Sequence, residues 1–505
     1  MLAGAVTVAV AELLAALLVR SGHAGGTPGP VVALGGAFVD RTPPWLKDFA
    51  VSTFGTHDKT ALLTGIAVVV VVLAAVAGLL AARRRVWGLR LVVALAAVAA
   101  AAVLSRPHSA GIDVLPTFVG AVAGLLTLSS LLDRWLRVGE PHAAPVDDTL
   151  ARRSFVMGLG GSAALAVLAG AGSQLIGHAS RAAAASRADL RLPGATGAGP
   201  TAEQRTGLAV RGLSRMLTPP EEFYRIDTAL SVPQVAADDW SLRVHGLVQH
   251  ELHVTFADLL RLPMVERMVT LTCVSNEVGG DLVGNQVWLG HPIRELLARA
   301  VPLPGADMVL STSADGWTAG TPLEALTDPG RDALLAVAMG GAPLPVQHGF
   351  PVRMVVPGLY GYVSATKWVV DLEVTRFARA EGYWTPRGWS VLGPIKTESR
   401  IDVPRDGAHV RARRVAVAGV AWAQHRGIAR VEVRVDEGPW QAARLGPGGV
   451  ADSWKQWVLE WDAPQGDHTI QVRATDADGV VQTPQQAPPA PDGASGWHTV
   501  GVTVA

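Results

Sequence analysis

The stretch Val269-Thr-Leu-Thr-Cys-Val-Ser-Asn-Glu-Val-Gly-Gly280 contains Cys273, the only cysteine among the 505 residues of the chain. An apolar run with strand character precedes the cysteine, and a pair of glycines follows it. A single cysteine cannot form an intramolecular disulfide, so it is a buried packing residue, a nucleophile or a thiolate ligand of a soft metal. Composition leaves all three roles open, and the choice depends on sequence outside this stretch.

Apolar residues are concentrated in the first third of the chain. The mean hydropathy of +0.29 is high for a soluble protein, and the excess lies in the first 180 residues, whereas twelve of the 15 tryptophans follow position 239. The formal net charge is zero, which gives no indication of a nucleic-acid partner. The pattern predicts a membrane-embedded N-terminal part and a soluble C-terminal part.

The N-terminal part contains five apolar runs of the length that a bilayer-spanning helix needs, about 20 residues. These runs lie near 1–19, 61–82, 88–105, 114–132 and 155–177. Within the runs we find no facing pair of histidines, so we expect no haem site there. Five spans place the two ends of the membrane domain on opposite sides of the bilayer.

Basic residues in the loops predict the orientation of these spans. The segments 83–90 and 133–154 are rich in arginine, whereas 106–113 has a single arginine. The positive-inside rule makes the two arginine-rich loops cytoplasmic. The N-terminus is then inside, and everything after residue 177 lies outside the cytoplasm of a multi-pass protein of the cell membrane.

An arginine pair precedes the last span, in Ala151-Arg-Arg-Ser-Phe-Val-Met157. This segment resembles the twin-arginine signal, which exports proteins that have already folded. The alternative is that Arg152 and Arg153 anchor the cytoplasmic end of a helix. Export after folding would suit a domain that receives a cofactor in the cytoplasm.

Changes in composition and periodicity divide the chain into four segments. Residues 1–177 form the transmembrane domain, and 178–216, rich in Ala, Gly, Pro, Ser and Arg, form a flexible or partly helical linker. Short strand and helix patterns alternate over 217–403, which predicts a mixed α+β domain. Alternating strands separated by Gly, Pro and Asp turns over 404–505 predict an immunoglobulin-like β-sandwich.

Six motifs occur in order along the soluble part. They are Glu222-Phe-Tyr-Arg-Ile-Asp227, Thr272-Cys-Val-Ser-Asn276, Gly284-Asn-Gln-Val-Trp288, His348-Gly-Phe-Pro-Val-Arg-Met-Val-Val-Pro-Gly358, Tyr360-Gly-Tyr-Val-Ser-Ala-Thr-Lys-Trp368 and Lys396-Thr-Glu-Ser-Arg-Ile-Asp402. Together they resemble the sulfite oxidase family of mononuclear molybdenum enzymes over about 217–490. The resemblance implies a molybdopterin-binding catalytic domain over 217–403, followed by a sandwich domain that often forms dimers in this family.

The resemblance also implies a cofactor and a set of site residues. In this family one pterin cofactor and one protein thiolate hold the molybdenum, so Cys273 is the metal ligand, and Cys273 and Arg225 are the catalytic candidates. Asp315 would meet the pterin ring. The full set expected at the cofactor is Tyr224, Arg225, Cys273, Asn276, Asp315, His348, Arg353, Ser364, Thr366 and Lys367.

Each of these residues also has an ordinary structural interpretation when it is considered alone. His348 fits the end of a loop, Arg353 a charge on a strand surface, and Lys367 a solvated strand residue. The Gly-rich turn Pro357-Gly-Leu-Tyr-Gly-Tyr362 would let backbone amides approach a phosphate, but it equally fits a tight connection between strands. The ordered set of motifs favours the cofactor site.

Three departures from the family pattern bear on the substrate. Sulfite oxidases have an arginine shortly after the Cys-x-x-Asn motif, whereas Glu277 and two apolar or glycine residues follow Asn276 here. Asp227 stands where the family usually has a histidine. The family's substrate-pocket tyrosine has no clear counterpart, and Arg387 or Trp389 is a candidate to line the pocket instead. These departures disfavour a small dianion as substrate.

The sequence therefore predicts a membrane-anchored molybdenum oxidoreductase that transfers an oxygen atom to or from a sulfite-like or sulfoxide-like small molecule. A second interpretation is a sulfoxide reductase fed by quinol, and a third is a noncatalytic, membrane-tethered binding protein. The expected partners are the membrane, an electron-transfer partner that is a quinone or a redox protein, and a second copy of the chain bound through 404–505. No nucleic-acid partner is expected.

Overall fold

The computed structural model describes residues 1–21, 23–24, 26–43, 46, 53, 58–106, 109–139, 145–176, 179–411 and 414–505. The chain folds into two compact units. The first comprises Met1–Ala182 with Ala229–Val232, and the second comprises Ala183–Thr228 with Pro233–Ala505.

The described part of the first unit is mostly helical. Its helices are α1 (Leu2–Arg20), α2 (Pro30–Arg41), α3 (Asp58–Arg83), α4 (Arg85–Leu104), α5 (Leu115–Gly139) and α6 (Pro145–Ile176). All but α2 contain a stretch that is long and apolar enough to cross a membrane. The five predicted spans are confirmed as long apolar helices, and the Arg152–Arg153 pair lies within α6.

Small residues allow α1 and α5 to pack closely in this unit. A Cβ added at Gly120 would lie 2.5 Å from the Thr7 carbonyl oxygen, and one at Gly124 would lie 1.8 Å from the Thr7 hydroxyl. Such close backbone approach through glycine is typical of helices that associate in membranes. The Glu12 carboxylate accepts a hydrogen bond from the Val31 N–H at 3.1 Å, which satisfies one donor in the first turn of α2.

Helix α2 is an element that the sequence did not predict. It has 12 residues and begins with Pro30 at its first position, where a missing N–H carries no cost because the first turn has no intrahelical acceptor for it. The run is too short to span a membrane and has two internal glycines. For these reasons hydropathy alone did not reveal it.

The segment predicted as a linker has fixed contacts with the second unit. It begins with α7 (Ala179–Asp189) and continues without regular structure. The Thr196 N–H donates to the Met264 carbonyl oxygen at 2.6 Å, and the Leu208 N–H donates to Gln456 Oε1 at 2.7 Å. Beyond Ala182 this part of the chain therefore belongs to the second compact unit.

The first part of the second unit combines two sheets with short helices. Its strands are β1 (Ser241–Gly246), β2 (Leu252–Thr255), β3 (Val265–Thr272), β4 (Val283–Pro292), β5 (Met308–Ser313), β6 (Thr318–Pro322), β7 (Leu334–Met339), β8 (Ala342–Pro343), β9 (Arg353–Val355) and β10 (Val369–Thr375). Its helices are α8 (Phe256–Arg261), α9 (Ile293–Ala300), α10 (Leu323–Thr327) and α11 (Gly361–Ser364). One sheet has the order β2-β1-β10-β5-β6; the other has the order β3-β4-β7-β8, with β9 paired to β7.

A buried apolar core holds these sheets in place. Strand β4 is buried along its whole length, and the indole N–H of Trp288 in this strand donates to the Val269 carbonyl oxygen at 3.1 Å. Trp240 makes a similar bond to the Val369 carbonyl oxygen at 2.7 Å. Buried tryptophans thus contribute large apolar surfaces while their polar N–H groups remain satisfied.

The C-terminal part of the second unit is built from nine further strands. They are β11 (Glu398–Val403), β12 (Ala408–Val410), β13 (Arg414–Trp422), β14 (Ile428–Val435), β15 (Gln441–Ala442), β16 (Arg444–Leu445), β17 (Lys455–Asp462), β18 (Gly466–Asp476) and β19 (His498–Val504). They form two sheets with the orders β11-β13-β17-β16 and β12-β19-β18-β14-β15. Side chains from both sheets share one core, which agrees with the predicted sandwich; its immunoglobulin type remains a prediction.

Candidate active site at Cys273

Cys273 follows the last residue of β3, an edge strand of its sheet. The Cys273 N–H donates to the Leu282 carbonyl oxygen at 2.9 Å, and its own carbonyl accepts from the Asn276 N–H at 3.1 Å. Cys273 as a whole residue is 9% exposed. Burial raises the pKa of the Cys273 thiol, while the N–H and hydroxyl of Ser275 and the charge of Lys367 oppose this rise.

A pocket opens beside Cys273 where loops from several parts of the second unit meet. These loops contain residues 223–228, 273–275, 313–317, 348–353 and 361–368, with an aromatic segment at 384–389. Six of the ten residues predicted at the cofactor line this pocket. They are Tyr224, Cys273, Asp315, His348, Arg353 and Lys367.

Arg353 is a buried cation at the start of β9. Its guanidinium donates only to backbone carbonyls: those of His348 at 3.2 Å, Met354 at 3.3 Å and Ala365 at 3.3 Å. No carboxylate among the described residues forms an ion pair with it, and its charged group lies 5.2 Å from the centre of the Trp288 ring. Burial lowers the pKa of Arg353 to about 10. Because these three bonds are long, the guanidinium can still bind an anion through hydrogen bonds.

Lys367 is the second buried cation of the pocket. Its Nζ donates to Asp227 Oδ2 at 2.6 Å and lies 4.9 Å from the centre of the Trp368 ring. Burial lowers the pKa of Lys367 to about 8, although the Asp227 carboxylate acts in the opposite direction. Asp227 is shared, because Arg225 Nε also donates to its Oδ2 at 2.9 Å.

His348 is held as a neutral ring. Its Nε2 lies 3.1 Å from the Pro220 carbonyl oxygen, and a carbonyl can only accept, so Nε2 carries the hydrogen and Nδ1 is an acceptor. Burial is the main cause that lowers the pKa of His348 to about 3, and the positive charges of Arg353 and Lys367 act in the same direction. At neutral pH the ring therefore adds hydrogen-bonding capacity to the pocket without adding charge.

Asp315 and Tyr224 add further polar groups. Asp315 lies in the turn between β5 and β6, where its Oδ1 accepts from the Trp317 N–H at 3.2 Å. Tyr224 stacks on Phe223 with 5.3 Å between ring centres. Burial raises the pKa of Tyr224, so its hydroxyl stays protonated. The pocket thus combines a carboxylate acceptor with a neutral hydroxyl donor.

The side chains of four predicted residues do not line the pocket. Two of them are Arg225, whose 37% exposed side chain pairs with Asp227, and Asn276, whose Oδ1 accepts from the Leu282 N–H at 2.8 Å. Arg225 is therefore paired within its own loop. Asn276 instead stabilises the turn that follows Cys273.

The other two residues are hydroxyl side chains around α11. Ser364 Oγ donates to the carbonyls of Leu359 and Tyr360 at 3.1 and 2.9 Å, and Thr366 Oγ1 lies 2.7 Å from Ser311 Oγ. Both hydroxyls satisfy polar groups of the fold. A sequence motif cannot show this, because the direction of a side chain depends on its neighbours in space.

An aromatic wall completes the pocket, and the sequence identified only part of it. Trp317, Tyr362, Trp384 and Trp389 all line the pocket, and the ring centres of Trp384 and Trp389 are 6.3 Å apart. Of the two candidates named for this region, Trp389 is at the pocket. Arg387 instead packs 3.7 Å from the centre of the Tyr383 ring. The cluster of aromatic residues over 383–389 was the signal available in the sequence.

Comparison with known proteins gives a consistent result. A family model described as the oxidoreductase molybdopterin binding domain matches residues 229–384. Sulfite oxidase of Gallus gallus is 30% identical over 324 residues, which cover 54% of this chain and 70% of that protein. Mitochondrial sulfite oxidase of Homo sapiens is 30% identical over 319 residues, covering 53% and 58% respectively, so the matched region spans less than two thirds of that relative.

One solved structure shares its fold with part of this chain. The sulfane dehydrogenase SoxCD of Paracoccus pantotrophus matches with a TM-score of 0.50 and 25% sequence identity, over 58% of this chain and 81% of that chain. The relatives, the matched domain and this structural likeness agree with one another. The chain belongs to the sulfite oxidase family of molybdopterin-dependent oxidoreductases.

Proposed function

We propose that the chain is a membrane-anchored molybdenum enzyme that transfers an oxygen atom in a two-electron reaction, with a sulfite-like or sulfoxide-like small molecule as substrate. The observation that carries the proposal is the pairing of a buried cysteine with a buried guanidinium in one pocket. Cys273 offers sulfur to a soft metal, and Arg353 offers its positive charge to an anionic cofactor group.

The residues of the pocket fit a molybdopterin cofactor. Such a cofactor carries a phosphate, which suits Arg353, because that guanidinium has no carboxylate partner among the described residues and makes only long bonds to carbonyls. The pterin ring needs both donors and acceptors. Asp315 and the Nδ1 of neutral His348 supply acceptors, and the Tyr224 hydroxyl supplies a donor.

Cys273 would bind the metal through its sulfur. In the described part of the chain no group of three or more His, Cys, Asp or Glu side chains could hold a metal ion, so the other ligands would come from the cofactor. When bound, this cofactor supplies the oxygen-atom transfer chemistry. The hydrogen bonds from Ser275 and the charge of Lys367 favour the thiolate of Cys273 against the effect of burial.

A second candidate reaction is reduction of an uncharged organic sulfoxide. The observation that favours it is the aromatic wall formed by Trp317, Tyr362, Trp384 and Trp389. An aromatic surface binds an apolar organic group more readily than a doubly charged oxyanion. Glu277, Val278 and Gly279 follow Asn276, so this stretch also lacks the arginine that sulfite oxidases have shortly after the Cys-x-x-Asn motif. A quinone or a redox protein would then supply the electrons.

We further propose that α1 and α3–α6 anchor the enzyme in the cell membrane, with the second unit outside the cytoplasm. The arginine-rich loops support this orientation, and the Arg152–Arg153 pair supports export after the cofactor has been inserted. The β-sandwich is the proposed contact between two copies of the chain. Membership of an oxidoreductase family disfavours the alternative of a noncatalytic binding protein.

Metal analysis of the purified protein tests the cofactor assignment. We expect stoichiometric molybdenum in the wild-type chain and clearly less in Cys273→Ala, because the variant lacks the only thiolate ligand that the protein would supply. Val269→Ala is the matched control, since it removes a buried side chain of β3 outside the pocket but keeps the sulfur, and it should retain molybdenum. Well-folded wild-type protein without molybdenum would contradict the proposal.

A substrate screen on protein of verified molybdenum content distinguishes the two reactions. Sulfite would be offered with an oxidised artificial electron carrier, and methyl sulfoxides with a reduced one. Oxidation of sulfite alone would support the first reaction, whereas reduction of sulfoxides alone would support the second. Molybdenum-loaded protein that turns over neither class of compound would contradict both.

A further inference from the structure

The outer edge of strand β3 is covered by segments of the C-terminal sandwich. Both backbone polar groups of Thr270 are bonded there: its N–H donates to the Asp452 carbonyl oxygen at 2.9 Å, and its carbonyl accepts from Gln424 Nε2 at 3.0 Å. The Thr270 hydroxyl accepts from the Trp454 N–H at 2.8 Å. Strand β3 is thus not a free edge, because groups from the sandwich take the place of a neighbouring strand.

Of these sandwich residues, Gln424 contacts the residue closest to Cys273 in the sequence. It follows β13, is fully buried, and donates a second hydrogen bond from Nε2 to the Thr272 hydroxyl at 2.9 Å. Thr272 is the residue directly before Cys273. One amide group therefore connects the sandwich to the last residues of the strand that ends at the cysteine.

The Gln424 amide makes this contact through its nitrogen only, and its oxygen lacks a hydrogen bond. Its Oε1 is buried and has no hydrogen-bond partner in the described part of the chain. A buried polar atom without a partner is unfavourable, so Gln424 contributes to this contact only through the two hydrogen bonds that its Nε2 donates.

We infer that Gln424 is a positioning residue that fixes the orientation of the Cys273 sulfur toward the metal. This inference rests on the proposed function. The Cys273 backbone is held on one side by its bond to the Leu282 carbonyl oxygen at 2.9 Å and on the other by the Gln424 contacts with Thr270 and Thr272. Because the metal has a single protein ligand, no second side chain compensates for an error in the direction of the Cys273 side chain.

Gln424→Leu in the full-length, molybdenum-loaded protein tests the inference. Leucine keeps the volume but removes both donated bonds. Loss of a group that orients a metal ligand typically lowers activity about 10-fold to 100-fold, so we expect kcat per molybdenum to fall within that range while KM stays unchanged. The electron paramagnetic resonance spectrum of the one-electron-reduced metal should also shift, because it reports the geometry of the metal–sulfur bond.

Gln482→Leu is the matched control. Gln482 is a second buried glutamine of the sandwich, and it bonds to Ser399, Ala474 and Gly496 without contact to β3. We expect this variant to lose thermal stability but to keep the wild-type spectrum and the wild-type kcat per molybdenum. If both variants lose stability and neither changes the spectrum, Gln424 has only a structural role and the inference is wrong.

Thr272→Val provides an independent test in case Gln424→Leu does not fold. It removes only the hydroxyl that accepts from Gln424 and should shift the spectrum in the same direction by a smaller amount. An unchanged spectrum in Thr272→Val together with wild-type kcat would overturn the inference. Wild-type protein that contains no molybdenum would instead contradict the proposed function.

Discussion

Replacing Arg353 by methionine should lower the molybdenum content of the protein without lowering its stability. Burial lowers the pKa of Arg353 from 12.5 to about 10, and at about 1.36 kcal/mol for each pKa unit this corresponds to roughly 3 kcal/mol of unfavourable free energy for the buried charge. Methionine removes that charge but leaves three carbonyls without a donor. Each lost bond costs about 1 kcal/mol, so the two effects nearly cancel. We therefore expect the free energy of unfolding of the cofactor-free chain to stay within about 2 kcal/mol of the wild-type value, while the molybdenum content falls sharply.

Arg400 offers a matched control for this variant. It is also a buried arginine, but it donates to the Asp402 carboxylate at 2.7 Å, to the Gly280 carbonyl oxygen at 2.7 Å and to the Ser214 hydroxyl at 2.9 Å. Arg400→Met would leave the Asp402 carboxylate buried without its cation. Such a loss typically costs about 3–5 kcal/mol, so this variant should be destabilised.

The assay has two readouts for each variant. Urea denaturation of protein made in cells that lack the cofactor gives the free energy of unfolding, and elemental analysis of protein made in cells that produce it gives molybdenum per folded chain. Arg353→Met should lose molybdenum without losing stability, whereas Arg400→Met should lose stability and keep more molybdenum per folded chain than Arg353→Met. If Arg353→Met keeps wild-type molybdenum, or is destabilised as much as Arg400→Met, then Arg353 is an ordinary structural arginine.

Two further predictions concern pH, both measured as the free energy of unfolding of the cofactor-free chain. The pKa of Lys367 in the folded chain, about 8, lies below its ordinary value of 10.5. Between these two pH values the unfolded chain binds more protons than the folded chain, so the free energy of unfolding should rise with pH by roughly 3 kcal/mol. This rise should be absent in Lys367→Met. The folded pKa of His348, about 3, lies below 6.5, so stability should fall as the pH drops from 6.5 toward 3. The fall should be smaller in His348→Gln, and an identical pH profile in either variant would contradict the assigned pKa.

The elements predicted correctly are those whose signal is local. The apolar runs identified the five long helices, and the alternating strands predicted over 404–505 are present in the structure, with β14 (Ile428–Val435) as one example. Helix α2 was missed because 12 residues with two glycines give neither a span nor a clear helical period. The fixed course of 190–216 was missed because its bonds go to Met264 and Gln456, which are distant in the sequence.

The candidate site was predicted in part for a related reason. Ordered motifs located the loops that form the pocket, but they could not show which way each side chain points. Ser364 was expected at the cofactor, whereas its hydroxyl bonds to backbone carbonyls one helical turn earlier. Trp384 was not among the predicted residues, although it lines the pocket. Whether a polar side chain serves the fold or the pocket depends on partners that only the tertiary structure supplies.

The C-terminal domain contributes to the candidate site without entering the pocket. The motif Lys396–Asp402 belongs to the family pattern, yet none of its residues lines the pocket. Within it, Arg400 donates to the carbonyl of Gly280, the last residue of the stretch that contains Cys273, while Gln424 bonds to Thr270 near the start of that stretch. The sandwich therefore holds both ends of the Cys273 segment. This arrangement implies that the sandwich stabilises the loop of the proposed metal ligand in addition to any role in association.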